Sequence, residues 1–575
     1  MIRALFASVI LAVVLPAQPQ NGDLPRGRMA RAIKIIPVPH LVHPIPRAGR
    51  IPFSTMIDCA PEIDFSHRSF LEDNEDPRPR IDNLTDILRE ITPLSWDGGD
   101  VSADLIGDAL LVTGSPDQIH LVEQSLQQLT AALGGPFTVR AATFTLAAEA
   151  ELPTSGAPYG ELRARLGQLG ATFLWESTAT AEPSQTVDLG SLATVPYVSD
   201  CDVEIAQSST MANPITVPMH LGALVQVQAH PLAGSSDAVL LVQYARGETA
   251  APIREIVLGK DDALPRLQSP TVAADTGCFS GRIENGGALV FLADGEWGGH
   301  RLGILVAAER AAVPADAERG LGVFPLGAFL SAGLRRDFYV PEDSEWRDLW
   351  TPPVVVEEDS GRTLYPSSEE TWQTLFHRAI DEDDCAVMIW NHLAIVQGPA
   401  AAKQTVARLI ELMQEQFLRT VDVELRLANG DGRGAPLQRV RFPVLQGRHH
   451  CVVHGIESTG IADADVEVAQ KAGVSDPKVV RHFTGSMCAV QVYPLANDLG
   501  AVLRLRIVDT VPTRTYVPEN KRGLPLDQPT ITRSRHVHQG RVPTNGQPIA
   551  FGDGPAVMLN DHRQRSQPQI VLRAR

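Results

Sequence analysis

The chain has 575 residues, of which 44% are hydrophobic and 21% charged, a balance that suits roughly three to five domains with buried cores and excludes global disorder. Its formal charge of -18 at pH 7 argues against nucleic-acid partners, because phosphate binding needs a surplus of Lys and Arg. The six cysteines (Cys59, Cys201, Cys278, Cys385, Cys451 and Cys488) include no C-x-x-C pair and are too sparse for a disulfide scaffold.

Arg3, the apolar run from Leu5 to Leu15, and then Pro16 and Ala17 predict a signal peptide over residues 1–17, and hence export to the periplasm, the outer membrane or the exterior. No later stretch approaches the ~18 apolar residues of a spanning helix. Export permits a disulfide, although spacing alone leaves its connectivity open. Residues 18–52, rich in Pro and Arg, read as a solvated lead-in. A small α/β unit is expected over 53–147. It opens with a strand near Phe53 to Ile57 and a helix with Leu84, Ile87, Leu88 and Ile91 on one face, stopped by Pro93. Ser95-Trp96-Asp97 follows, Trp96 reading as a core or interface aromatic. Then come a strand at Ala109 to Thr113, a turn at Gly114-Ser115-Pro116, a helix bearing Ile119, Val122, Leu126 and Leu129, and a strand from Phe137 to Leu146.

Residues 148–310 change character. After a helix over Gly160 to Leu169, period-two alternation at Val225, Val227, Val239 and Leu241 flanks Pro231 and the turn Gly234-Ser235-Ser236-Asp237, and Asn285-Gly286 supplies the positive φ of a two-residue hairpin. Pro314, Gly320, Gly322 and Pro341 mark a linker over 311–352. A second α/β unit is expected over 353–428, with a strand at Val354-Val355-Val356, a helix around Trp372 to Ala379, strands within Ala386 to Val396, and a helix bearing Val406, Leu409, Ile410 and Met413. A second β-rich domain then runs over 429–575.

The two halves are related in sequence. A shift of 263 residues lays Asp202-Val203-Glu204-Ile205-Ala206-Gln207 on Asp465-Val466-Glu467-Val468-Ala469-Gln470. Without a gap it carries Gly222 onto Gly485, Pro231 onto Pro494, and Ala238-Val239-Leu240 onto Ala501-Val502-Leu503. After a slightly shorter spacer Pro270 parallels Pro529, Gly281 parallels Gly540 and Gly286 parallels Gly546. These ten glycines and prolines are the candidate structural positions of a duplicated module. The fold class expected is α+β: two tandem modules, each a small α/β unit followed by a β-rich domain.

The β-rich module resembles the secretin homology region of type II and type III secretion channels and pilus channels. The likeness lies in the order of features: the Gly160–Leu169 helix, a strand at Ala171 to Trp175, Thr186-Val187-Asp188-Leu189-Gly190, Val195-Pro196-Tyr197-Val198, Gly222, Pro231, the Asn285-Gly286 turn and a last strand at Leu302 to Ala307. The α/β units resemble the ring-building domains beneath such channels, and the stretch from Ser95 to Leu129 resembles secretin-associated repeats of exported planctomycete proteins. The resemblance implies self-association or assembly with other envelope proteins, outer-membrane association, and a role tied to protein secretion. No long strand with the sustained lipid-facing alternation of a membrane barrel is evident, so the sequence favours a scaffold or assembly unit.

Catalytic signatures are lacking: there is no G-x-S-x-G, H-E-x-x-H, Walker or G-x-G-x-x-G pattern, and no residue is nominated as catalytic, cofactor-binding or metal-ligating. His449-His450-Cys451-Val452-Val453-His454 has zinc-apt side chains, but in a strand His450 and His454 face one way while His449 and Cys451 face the other. His536 and His538 likewise share a strand face. Asn429-Gly430-Asp431-Gly432-Arg433-Gly434 fails as a calcium loop, since Arg433 stands where an oxygen is needed and Val440 where the twelfth-position Glu belongs. Asp381-Glu382-Asp383-Asp384 reads as a solvated loop. The function expected is therefore a non-enzymatic envelope assembly protein. The alternatives are an exported monomeric binding protein for a glycan or protein ligand, and a metal-dependent hydrolase using His449 to His454.

Overall fold

In the computed structural model two large antiparallel sheets face one another across a shared apolar core, and two small three-stranded sheets with helices lie beside them. Apart from short breaks, the structure describes residues 32–38, 82–106, 109–257, 266–310, 321–330, 369–429, 438–516 and 526–542, with 549–550, 556–559 and 562–574 near the C-terminus. The protein is α+β and mostly strand.

The first small sheet has the order β1-β3-β2, from β1 (Ala32–Pro37), β2 (Ser102–Ile106) and β3 (Ala109–Gly114). Helices α1 (Asp82–Ile91) and α2 (Pro116–Leu133) cover it, burying Leu84, Ile87, Leu88 and Ile91 from one and Ile119, Val122, Leu126 and Leu129 from the other. The start of α2 is set by a capping box. Gln118 N–H donates to Ser115 Oγ at 3.3 Å, and Ser115 N–H donates to Gln118 Oε1 at 2.8 Å. Trp96 packs against this core, half-buried. The lead-in needs correcting here: Ala32–Pro37 is not a solvated tether but an edge strand, because its isoleucines suit a pleated ladder opposite Ala109–Gly114. The expected strand near Phe53 to Ile57 lies outside the described residues.

The second small sheet repeats that order as β12-β14-β13, from β12 (Gly322–Pro325), β13 (Ala386–Trp390) and β14 (Leu393–Gln397). Its helices are α4 (Gly327–Leu330), α5 (Glu369–Ala379) and α6 (Ala400–Phe417). Here too the outer strand comes from a stretch read as linker, while Val354-Val355-Val356 lies outside the described residues.

The large sheets take the rest. One has the order β20-β19-β18-β17-β9-β8-β7-β6, built from β6 (Thr186–Ala206), β7 (Ser209–Pro231), β8 (Ala238–Val257), β9 (Arg266–Ile283), β17 (His449–Val468), β18 (Gly473–Leu495), β19 (Asp498–Tyr516) and β20 (Leu526–Val542). The other has the order β21-β23-β15-β16-β10-β11-β4-β5, with β22 paired to β23. Its members are β4 (Phe137–Ala147), β5 (Thr172–Ala181), β10 (Ala288–Trp297), β11 (His300–Arg310), β15 (Thr420–Asn429), β16 (Gln438–Leu445), β21 (Ile549–Ala550), β22 (Ala556–Leu559) and β23 (His562–Ala574). Strands of both halves therefore share both sheets.

Between the sheets Phe291 stacks on Phe279 at a centroid distance of 5.2 Å, and it also meets Tyr244 at 4.6 Å and Phe442 at 6.2 Å. The outer face of the nine-stranded sheet is covered by α3 (Tyr159–Gln168), through Tyr159, Leu162 and Leu166. Two expectations change. All eight strands of the eight-stranded sheet, β6 to β9 and β17 to β20, have 17 or more residues, so long strands are present. Irregularities at Val198/Asp200, Thr249/Ala251 and Pro512/Arg514 shift the pleat and break up the alternation that would have revealed them. And the Asn285-Gly286 turn is a corner, not a hairpin: β9 pairs with β8 and β17, whereas β10 pairs with β11 and β16.

Candidate functional site

The eight-stranded sheet consists of two consecutive four-stranded meanders, β6 to β9 and β17 to β20, joined where β9 lies antiparallel to β17. At this seam the ladder runs from Cys451 opposite Cys278 to Ser458 opposite Thr271. Of the ten glycines and prolines paired by the sequence, Gly222 and Gly485 fall at corresponding registers in the two meanders. Gly222 of β7 stands opposite Leu192 of β6, and Gly485 of β18 stands opposite Gly455 of β17. Both take positive φ, +119° and +159°. At Gly485 a Cβ would lie 2.1 Å from the His454 carbonyl oxygen, so only glycine lets the strands approach this closely.

Pro231 ends β7 opposite Ala238, and Pro494 stands one residue before the end of β18 opposite Leu499. Pro270 falls at the irregularity between the Ala251–Thr271 and Arg254–Ser269 pairs, and Pro529 faces Pro512 at the irregularity next to Arg514. A residue without an N–H is tolerated where the ladder is already interrupted. Gly281 lies opposite Leu240, and a Cβ there would meet Leu289 at 2.9 Å and Thr420 at 3.0 Å, which brings β9 close to the facing sheet. Gly540 lies opposite Ala501. Gly286 turns the sheet corner at φ +80°, where Asn285 Oδ1 accepts from Arg310 N–H at 2.7 Å and Asn285 Nδ2 donates to Arg310 O at 3.1 Å. Gly546 lies outside the described residues.

Polar groups cross the seam at several points, among them Ser269 Oγ, which donates to the Thr459 carbonyl at 2.6 Å. Asp275, only 2% exposed, takes a hydrogen bond from His454 Nδ1 and lies 3.7 Å from Arg246 Nη1, which itself pairs with Glu248. His450, also buried, meets Ser280 Oγ through Nε2 at 2.6 Å and the Arg448 carbonyl through Nδ1 at 3.1 Å. His450 and His454 thus go to different partners in β9. Among the described residues no three or more His, Cys, Asp or Glu side chains are grouped to hold a metal. Residues 430–437 and Asp381 to Asp384 lie outside the described residues, and His536 and His538 are placed in β20. Register was the signal for these pairs, and it needs a partner strand that one-dimensional periodicity does not name.

A second polar joint links the sandwich to the second small sheet. His230 Nδ1 accepts from Ser184 Oγ at 2.8 Å, and its Nε2 donates to Gln228 Oε1 at 3.1 Å. Burial, with a smaller contribution from the Arg448 guanidinium, holds His230 well below the usual imidazole range, and the same two causes push His392 down to about 4. Arg448 Nη2 donates to the Ala328 carbonyl of α4, closing the joint.

No known protein family matches the chain by sequence, and no curated protein does. Among solved structures it is similar to the secretin-domain β-barrel of InvG from the Salmonella SPI-1 injectisome, with 11% identity over 50% of this chain and 91% of that one and a TM-score of 0.22. It is also similar to the Vibrio cholerae type IV competence pilus secretin PilQ, with 10% identity over 37% and 69% and a TM-score of 0.20. For the Klebsiella pneumoniae type II secretion outer membrane complex of PulD, PulS and the PulC HR domain the values are 9% identity, 94% and 72% coverage, and a TM-score of 0.17. No helix among the described residues is long and apolar enough to cross a membrane. The strand pairing of this chain, not these loose superpositions, carries its functional reading.

Proposed function

We propose that the chain is a non-enzymatic, exported assembly protein that joins copies of itself head to tail through the two edges of its eight-stranded sheet. The observation that carries this reading is the β9–β17 seam. The 263-residue register makes β17 the counterpart of β6, and the match of Pro270 with Pro529 makes β9 the counterpart of β20. The chain thus already contains one junction between the last strand of a meander and the first strand of the next. Its terminal strands, β20 and β6, each have a partner on one side only among the described residues, and they are the same two surfaces in unjoined form. An unpaired edge exposes a row of N–H and C=O groups that another strand satisfies, and a junction of unlike surfaces repeats into a ring or an open filament.

The seam also gives the register of the proposed contact. His454 opposite Asp275 becomes Ser191 opposite Ser534. The paired variant Ser191→Cys/Ser534→Cys is expected to give a reductant-sensitive ladder of covalent multimers on oxidation, from a protein whose mass by light scattering is a discrete multiple of the monomer, with or without mild detergent. A clean monomer in plain buffer, or a cross-link confined to single chains, would overturn the reading. It would leave the binding scaffold as the better account.

A further inference from the structure

Cys278 and Cys451 stand opposite one another at the first rung of the β9–β17 seam, with their sulfurs 3.3 Å apart. We propose that they form a disulfide that fastens the first meander covalently to the second. Directly opposed residues of an antiparallel pair have Cα atoms about 4.5–5.5 Å apart, inside the span a disulfide bridges, so the bond needs side-chain rotation and no backbone movement. This site lies within one chain and is independent of association between chains.

The geometry selects this pair. Cys488 is opposite Val452, the neighbour of Cys451, and so belongs to the other face of the sheet. Cys385 precedes β13 in the second small sheet. Cys278 is half-buried while Cys451 is only 4% exposed, so the reaction has an order. The Cys278 thiolate attacks a sulfur of a disulfide oxidant, releasing one thiol and leaving a mixed disulfide. The Cys451 sulfur then attacks the Cys278 sulfur, forming the cross-strand bond and releasing the second thiol. Two protons and two electrons pass from the protein thiols to the oxidant, which leaves as two thiols. Burial and the neighbouring sulfur push the Cys451 thiol up, which makes the second step slow in the folded chain and favours closure early in folding.

The test uses the full chain incubated with oxidised glutathione, denatured, alkylated with iodoacetamide and digested. The expected result is one linked peptide joining Cys278 to Cys451, two hydrogens lighter than its separate halves and abolished by reductant. The denaturation midpoint of the oxidised wild type should fall on adding reductant, while that of Cys278→Ser stays unchanged. Full alkylation of both cysteines after oxidation, a Cys451–Cys488 link, a link between two chains, or an equal response of Cys278→Ser to reductant would each overturn the proposal.

Discussion

Where β9 meets β17, the two halves of the chain share an unbroken backbone ladder from Cys451 to Ser458, whereas in the facing sheet β10 and β16 share a single register pair, Leu292 with Arg441. The first junction is made of main-chain hydrogen bonds with charged and polar side chains set into it, such as Asp275 with His454. The second depends on side chains, with the rings of Phe291 of β10 and Phe442 of β16 set 6.2 Å apart between centroids. The lesson is that one pair of halves can be zipped on one layer and merely packed on the other. The packed layer should tolerate truncation least, because no ladder there holds the strands when the ring is removed.

Truncating Phe291 tests that directly. Phe291→Ala removes a ring that touches Tyr244, Phe279 and Phe442 at once and leaves a cavity between the sheets. It should destabilise the protein by about 4 kcal/mol in urea unfolding. An effect below that of a polar change at the ladder would reverse the comparison. At the laddered junction Asp275→Asn keeps the shape but removes the charge that faces Arg246 and His454. Backbone pairing survives the change, so a smaller loss, about 2 kcal/mol, is expected in the same measurement.

Much of the helical part was legible in the sequence because a helix carries its partners within itself. The stripe of Ile119, Val122, Leu126 and Leu129 is local, and α2 runs from Pro116 to Leu133 with that stripe buried. The sheets were legible only in part. Period-two alternation marks Val225 and Val227 as inward-facing, and both are buried, yet it says nothing of which strand lies alongside. The seam between Asp275 and His454 joins residues 179 positions apart, and nothing local in either segment names the other. Ala32–Pro37 was hidden differently: the surrounding Pro and Arg outweighed its three isoleucines, which take structure only from the distant strand Ala109–Gly114. Asn285-Gly286 gave the turn but not its destination, since a positive φ suits a sheet corner as well as a hairpin.

The joint around His230 and His392 extends the comparison to a third contact, between the sandwich and the second small sheet. His392 is held neutral in the folded chain, pushed from 6.5 down to about 4 by burial and then by Arg448. Between those values the unfolded chain binds more protons than the folded one, so stability is full above pH 6.5 and falls as pH drops toward 4. His230 is shifted in the same direction. From pH 7.5 to 5.5 the contribution of His392 should fall by about 1.5 kcal/mol, and His392→Gln should flatten that slope. A slope unchanged in that variant would place the acid sensitivity elsewhere.

The smallest effect is expected at the corner that carries the chain from the laddered sheet into the packed one. Asn285 holds both the N–H and the C=O of Arg310, tying the end of β11 to the turn that follows β9, while Gly286 N–H donates to Ala308 O. Asn285→Ala removes two side-chain hydrogen bonds, but the turn keeps Gly286 and its main-chain bond, so about 1 kcal/mol should be lost. Combined with Phe291→Ala the loss should exceed the sum, since β10 begins at Ala288 and is steadied from one end by the corner and from its middle by the ring. Combined with Asp275→Asn it should be additive, because the continuous ladder fixes β9 whether or not the corner holds. Equal coupling to both would mean that the two junctions are not held in different ways.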